Sequence, residues 1–362
     1  MANKLDEARQ IINEADAQMA QLFVQRMKAA EAVYEYKKEF GLPITDPVRE
    51  RAVIETNSAL IEDDTLRSYY IDYLKNLMSL SRAYQFRLQN GLRVAYSGVE
   101  GAFAHIAAGR IFPQGNRVSY SDFKAAYNAV VNGECDIAVL PIENSYAGEV
   151  GQTLDLIFSG SLFINGIYEL EIHQNLIGIK DATIDDIKKV TSHPQALSQC
   201  HEYIDLHGFN AEEANNTALA AKSVAEANDK SYAAIASAET AELYGLKVLE
   251  YNINKSAENT TRFAVLSKVQ AEAPTLSSTV LMLTVKHEAG SLANAINIIG
   301  QHGFNMTALR SRPMKKQSWQ YYFYIEIDGR TDSDDGKKML EELSAVCDTV
   351  KIAGTFAPHC PI

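Results

Sequence analysis

Apolar side chains recur at Leu5, Ala8, Ile12, Ala15, Met19, Leu22, Ala29 and Val33, a spacing near 3.6 residues that predicts one long helix over residues 4–40. Gly41 and Pro43 end it. Asp46 offers a side-chain cap and Pro47 a first helical position, so a second helix is expected from there to about residue 61. A third is expected over 65–89, closed by Asn90-Gly91. A helix over 4–40 is about 55 Å long, and Arg9 and Arg26 on it stand roughly 26 Å apart. A monomer of that size is more compact than this, which predicts an intertwined dimer.

After Asn90-Gly91 the pattern changes to short apolar strands alternating with helices. Strands are expected over 93–96, 136–140, 176–179, 189–191, 232–236 and 262–266, with helices over 102–111 and 218–227. That alternation predicts an α/β unit with a parallel sheet. From residue 279 the pattern changes again. Strands over 279–286, 307–310, 321–328 and 349–353 enclose helices over 291–302 and 334–346, a β-α-β-β-α-β order of ferredoxin-like type.

With 362 residues, 46% of them apolar and 22% charged, the chain has the length for two or three domains and an ordinary globular composition. No stretch approaches 18 uncharged apolar residues and the N-terminus lacks an apolar signal core, so a cytoplasmic enzyme is expected. Cys135, Cys200, Cys347 and Cys360 have no paired spacing and are expected as free thiols. Cys200-His201 with His207 is not read as a metal cluster, and no metal is expected. A net charge of −12 argues against a nucleic-acid partner. Residues 1–90 carry 12 basic and 14 acidic side chains while the remainder carries 22 and 32, so the helical segment is the less acidic part.

That helical segment holds Arg9, Arg26, Lys37, Asp46, Arg49, Glu50, Ser81 and Gln85. Ser81 and Gln85, four apart, share a helix face, and Lys37 lies close to three turns after Arg26. Arg26 interrupts the apolar stripe between Leu22 and Ala29, where a core residue would stand. Solvated helix faces account for such charges singly, but not for Arg26. As a set, Arg…Arg…Lys, then D-P-V-R-E, then S-x-x-x-Q, resembles the all-helical chorismate mutase family. The resemblance implies that basic groups clamp the two carboxylates of chorismate. Lys37 and Gln85 would then donate to the ether oxygen as the C–O bond breaks. A pericyclic rearrangement needs no nucleophile, only a held conformer and stabilised charge.

In the middle of the chain, polar clusters are expected where strands end and helices begin, the ligand edge of an open α/β sheet. They are P-I-E-N-S at 141–145, S-H-P-Q at 192–195, N-T-T-R-F at 259–263 and Asn215-Asn216-Thr217 before an Ala-rich helix. Each alone is an ordinary turn or cap. In this order they resemble the prephenate dehydratase family, with a cleft between two α/β lobes. The resemblance makes Thr261 the hydrogen-bond donor to the leaving hydroxyl. Glu143, Asn144, Ser145, Gln195, Thr217, Arg262 and Phe263 would bind prephenate, Phe263 as an apolar wall and Glu143 as a proton source if burial raises its pKa. Ala104 follows Phe103 where the family has a hydroxyl residue. The turn at 97–101 lacks G-x-G-x-x-G spacing, so no cofactor is expected.

The last unit, with Gly290-Ser291-Leu292 and Ser311-Arg312-Pro313, resembles the amino-acid-binding ACT domain. The resemblance implies edge-to-edge pairing and a phenylalanine site at Gly290, Ser291, Leu292, Asn305, Ser311, Arg312 and Pro313. Arg310 stands where glutamate is usual and Ser291 where alanine is. The reading is thus multidomain: a three-helix all-α mutase domain over 1–90 as an intertwined dimer, a two-lobed α/β dehydratase domain over 91–270, and an α+β ferredoxin-like ACT domain over 271–362. The implied function is a bifunctional enzyme converting chorismate to prephenate and then phenylpyruvate, inhibited by phenylalanine, as a dimer or larger homo-oligomer without a membrane partner. The alternative is a sensor whose helices only dimerise.

Overall fold

The computed structural model describes residues 4–254, 259–314, 320–358 and 360–362. Two compact units divide near Arg93. The first contains α1 (Lys4–Glu39), α2 (Pro47–Ser58) and α3 (Asp64–Asn90). Asp46 caps α2, accepting from the Arg49 N–H at 2.9 Å, and Asp63 caps α3 in the same way through the Leu66 N–H. Gly41 and Gly91 follow the long helices with φ of +64° and +67°.

The expected stripe along α1 is not a core within one chain. Only Ala30 and Tyr34 of α1 are buried, while Ile12 is 57% exposed and Leu22 62%. The other buried residues of this unit are Ile44, Ser58 and Arg93, together with Leu74, Met78, Ser81 and Gln85 on α3.

The second unit opens with β1 (Arg93–Ser97), α4 (Phe103–Ile111), β2 (Asn116–Tyr120), α5 (Phe123–Val131), β3 (Ile137–Asn144), β4 (Gly148–Glu149), α6 (Gly151–Ser159) and β5 (Phe163–Glu171). A second lobe follows: β6 (Asn175–Gly178), β7 (Lys189–Ser192), α7 (Pro194–Gln199), α8 (His201–His207), β8 (Asn210–Glu213), α9 (Thr217–Ala227), β9 (Tyr232–Ala236), α10 (Ala238–Leu243) and β10 (Lys247–Glu250). The chain then returns to the first lobe as β11 (Thr260–Ser267). The first sheet runs β5-β11-β3-β1-β2 with β4 beside β3 and the short C-terminal strand Cys360–Pro361 outside β5, and the second runs β10-β6-β9-β7-β8.

Both sheets are mixed, not parallel as expected. β11 comes back from the second lobe and inserts antiparallel between β3 and β5, while β6 is antiparallel to β9 and β10. β3 is also longer than expected. Its ladder with β11 skips Ile142, so the strand continues past Pro141 to Asn144. Such a bulge is where a strand tolerates proline. Accordingly P-I-E-N-S lies on a strand and hairpin, and T-T-R-F opens a strand. Neither precedes a helix.

The C-terminal part is β12 (Ser278–Val285), α11 (Ser291–Gln301), β13 (Met306–Pro313), β14 (Tyr321–Asp328), α12 (Asp334–Val346), β15 (Cys347–Phe356) and β16 (Cys360–Pro361). Its sheet order β13-β14-β12-β15 is ferredoxin-like. One face, with Leu281, Leu283, Ile325 and Ile327, is covered by α11 and α12. The other, with Val280, Met282, Tyr322 and Tyr324, joins the core of the first lobe around Leu154, Ile157 and Ile164. No helix among the described residues is long and apolar enough to cross a membrane.

Candidate active sites

In the helical unit the structure brings part of the expected set together. Arg26 Nη1 donates to Ser81 Oγ, and Ser81 Oγ donates to the Leu77 carbonyl at 2.9 Å. Lys37 Nζ donates to the Ile44 carbonyl at 2.6 Å, which holds the ammonium beside the turn into α2. Gln85 is buried and its Oε1 has no hydrogen-bond partner among the described residues. A buried amide oxygen of this kind is suited to accept a hydrogen bond from a guest. Glu50 is paired with Arg82 of α3, a residue the sequence reading missed because it falls between Ser81 and Gln85 of the motif. Asp46 and Arg49 are exposed. Arg9 is not brought to the others: two-thirds exposed, its nearest charge is Asp6 at 3.9 Å.

Between the two lobes of the second unit lies a cavity of about 290 Å³. Asn144, Gln195, Thr217 and Thr261 of the expected set line it, as do Phe103, Gln174, His193, Gln199, Asn216 and Asn259, which that set omitted. Because the ladder bulges at Ile142, both Pro141 and Asn144 turn toward this cavity. Without the extra residue they would face opposite sides.

Asn144 is the centre of the polar lining. Its Oδ1 accepts from the Tyr146 and Ala147 N–H groups at 3.1 and 2.9 Å, which leaves its amide hydrogens pointing the other way. Nδ2 donates to Thr261 Oγ1 and to Asn259 Oδ1, both at 2.9 Å. Asn259 passes the chain on to Gln199 Oε1 at 3.0 Å. Since Thr261 Oγ1 accepts from Asn144, the threonine keeps its own proton to give. Asn216 caps α9, accepting from the Leu219 N–H at 2.7 Å, so the first turn of that helix opens on the cavity beside Thr217. His193 Nδ1 accepts from the Gln195 N–H at 3.2 Å, leaving Nε2 as the ring's donor.

Four expectations are corrected here. Glu143 is not an acid poised by burial. Burial does raise its pKa, but hydrogen bonds and charge from Arg310 and Arg262 outweigh it and hold the carboxylate below its usual range. Arg262 turns from the cavity to Glu326, giving two bonds of 2.9 Å. Phe263 is buried in the core, and Phe103 supplies an aromatic wall instead. Ser145 is exposed, and its Oγ accepts from the Thr260 N–H at 3.0 Å. Glu143 and Arg262 are sequence neighbours of Asn144 and Thr261, one pleat out of phase with them.

In the C-terminal sheet, Ser311 and Pro313 are exposed on β13 while Arg310 and Arg312 point inward, to Glu143 and to Asp155 and Glu149. Arg312 is therefore engaged within the chain. Gly290 precedes α11 with a φ of +86°, and Asn305 donates to Asp328 at 3.0 Å.

Residues 8–86 match the family model described as chorismate mutase type II, and residues 94–271 match prephenate dehydratase. A bifunctional chorismate mutase/prephenate dehydratase of Enterobacter agglomerans is 31% identical over 98% of this chain and 96% of its own length. Among solved structures, a protein described as a quorum-quenching acylase is 30% identical, with a TM-score of 0.68 over 73% of this chain and 97% of the other. The prephenate dehydratase of Arthrobacter aurescens, solved with L-Phe, is 26% identical, with a TM-score of 0.68 over 74% and 90%. Matched almost end to end, and with both family models in order along it, this chain belongs to the bifunctional chorismate mutase/prephenate dehydratase family, isomerising chorismate and dehydrating prephenate in phenylalanine biosynthesis.

Proposed function

We propose that the cavity between the lobes is where prephenate loses its hydroxyl and carboxylate, and that Thr261 serves that departure directly. The carrying observation is the fixed amide of Asn144, which donates to Thr261 Oγ1 and so leaves the threonine proton available to a guest in the cavity that Thr261 lines. As the ring carboxylate leaves as carbon dioxide, its bonding electrons complete the aromatic ring and expel the hydroxyl. A hydrogen bond from Thr261 stabilises charge on that oxygen as it develops. Gln195, Thr217 and the first turn of α9 suit the remaining carboxylate and keto group, and Phe103 suits the ring.

In the helical unit, Arg26, Lys37, Asp46, Arg49, Glu50, Ser81 and Gln85 form the mutase site, which Arg9 completes from a second copy. Two observations support this: the exposed apolar face of α1, and the distance along the helix between Arg9 and Arg26. Residues 271–362 act as an ACT domain that binds L-phenylalanine and inhibits the dehydratase, a reading favoured by the ferredoxin-like sheet order and by the L-Phe held in the similar dehydratase structure. The domain limits 1–90, 91–270 and 271–362 follow from these assignments, as does a cytoplasmic location. The test is a coupled assay of chorismate loss and phenylpyruvate gain. Thr261→Ala removes the second and spares the first, Thr261→Ser retains part of the second, and near-normal dehydration by Thr261→Ala refutes the assignment.

A further inference from the structure

Successive residues of a strand face opposite sides of the sheet. In the β3–β11 ladder, Asn144 pairs with Thr261 and the next pair is Glu143 with Arg262. The first pair faces the cavity. The second faces the C-terminal sheet, where Arg262 grips Glu326 of β14 and Glu143 is paired with Arg310 of β13. The two strands that present the threonine to the cavity thus carry the C-terminal sheet on their reverse side.

The hairpin between β3 and β4 adds a second contact. It sets Glu149 directly opposite Glu143. Like charges so placed repel, and the hairpin would be a weak one by itself. Alternate residues of β13 answer both. Arg310 donates to Glu143, while Arg312 Nη1 donates to Glu149 at 2.6 Å and its Nε to Asp155 at 3.1 Å. The hairpin so held supplies Asn144, Ala147, Gly148 and Glu149 to the cavity lining.

We propose that Arg310 and Arg312 are positioning residues for the dehydratase, a two-arginine clamp that holds the β3–β4 hairpin and keeps Asn144 in hydrogen-bond register with Thr261. The clamp rests on the reading of the interlobe cavity as the dehydratase site. It gives the two arginines of the S-R-P region a task inside the chain, and it explains why glutamate is absent at position 310. A carboxylate there would face Glu143 and add a third negative charge to the hairpin.

Fastening the sheet for stability alone is the competing role, and kinetics separate the two. Arg310→Met and Arg312→Met are made in the full chain, with near-ultraviolet circular dichroism and the thermal melt of each sample measuring folded second unit and mutase turnover serving as the control for the helical unit. The clamp predicts a dehydratase kcat lower by roughly 10- to 100-fold, the cost of small misplacements of a catalytic group, with mutase turnover unchanged. Arg310→Lys recovers much of the loss, and Arg310→Met with Glu143→Gln is no worse than the poorer single variant. Should the Met variants not fold, Arg310→Lys and Glu143→Gln carry the same comparison, with smaller losses in the same direction. A dehydratase kcat within about twofold of wild type in the folded variants overturns the clamp. If Thr261→Ala is meanwhile inactive, only the clamp has failed; an active Thr261→Ala removes the site beneath it.

Discussion

Asn144 Nδ2 lies 2.9 Å from Thr261 Oγ1, between residues that are Cα partners across an antiparallel ladder. The hydrogen bond that Thr261 accepts therefore comes from an asparagine whose own orientation is set by two backbone N–H groups, and the threonine's own proton stays available to another acceptor.

Asn144→Asp tests this with almost no change of shape. The aspartate still accepts from the Tyr146 and Ala147 N–H groups, so the hairpin turn survives. It has no hydrogen to give Thr261, and the threonine then donates to the carboxylate instead of to the substrate. Dehydratase kcat should fall by roughly 10²–10³, the effect of losing one well-placed donor, with mutase turnover unaltered. An Asn144→Asp enzyme with near-normal kcat would show that Thr261 is oriented by something else.

For the mutase, Arg9→Ala and Arg26→Ala should each abolish chorismate turnover, whereas a refolded mixture of the two should regain part of it. In a mixed dimer with each site drawn from both chains, one of the two sites receives both intact arginines. Arg26 is held at Ser81, while Arg9 lies about 4.7 turns away along α1 at 3.6 residues per turn and is largely exposed. Mixed dimers with no activity would place both arginines in one chain's site, or leave one of them idle.

The helices, the α/β alternation and the β-α-β-β-α-β order were legible because periodicity and punctuation are local signals. What was not legible is longer in range. Pro141 reads as the end of a strand, and only the partner strand shows that the ladder bulges at Ile142 and continues. A contiguous motif such as T-T-R-F does not say that Thr261 and Arg262 serve opposite faces of one sheet. Gln174 and Asn259 both donate to Gln199, the three coming from separate segments, and no spacing along the chain marks them. Arg82 was hidden differently: a partner of Glu50 is recognisable only when α2 lies against α3.

The clamp also carries a pH signature. Glu143 has its pKa lowered from 4.5 in the fold, so its contribution to stability is fully present above 4.5 and is lost as pH falls through the lowered value. Glu143→Gln cannot lose a charge it lacks. The difference in Tm between wild type and Glu143→Gln should be constant near neutrality and shrink below pH 4.5. A difference that persists unchanged into strong acid would mean that the carboxylate is not held by its arginines.

The proposed regulation by phenylalanine is the remaining test, and the contacts of β13 limit the surface open to a ligand. On β13 the inward side is taken: Arg310 by Glu143, Arg312 by Glu149 and Asp155. A ligand is left the outward side, with Ser311 and Pro313, together with Asn305 and the turn at Gly290, Ser291 and Leu292. β13 is an edge strand, so a second copy laid along it would close a pocket over these residues. Phenylalanine should bind there and slow the dehydratase, with a coupling of about 1–3 kcal/mol, or roughly 5- to 150-fold in affinity. Calorimetry on the wild-type chain and on Leu292→Asp measures it. Leu292→Asp is the better control than Gly290→Val, because a side chain at Gly290 would meet open space but strain a backbone held at a φ of +86°. Heat and inhibition with wild type, both lost in Leu292→Asp, are the expected result. No heat and no inhibition at millimolar phenylalanine would leave the C-terminal sheet with its clamp on the hairpin and no ligand of its own.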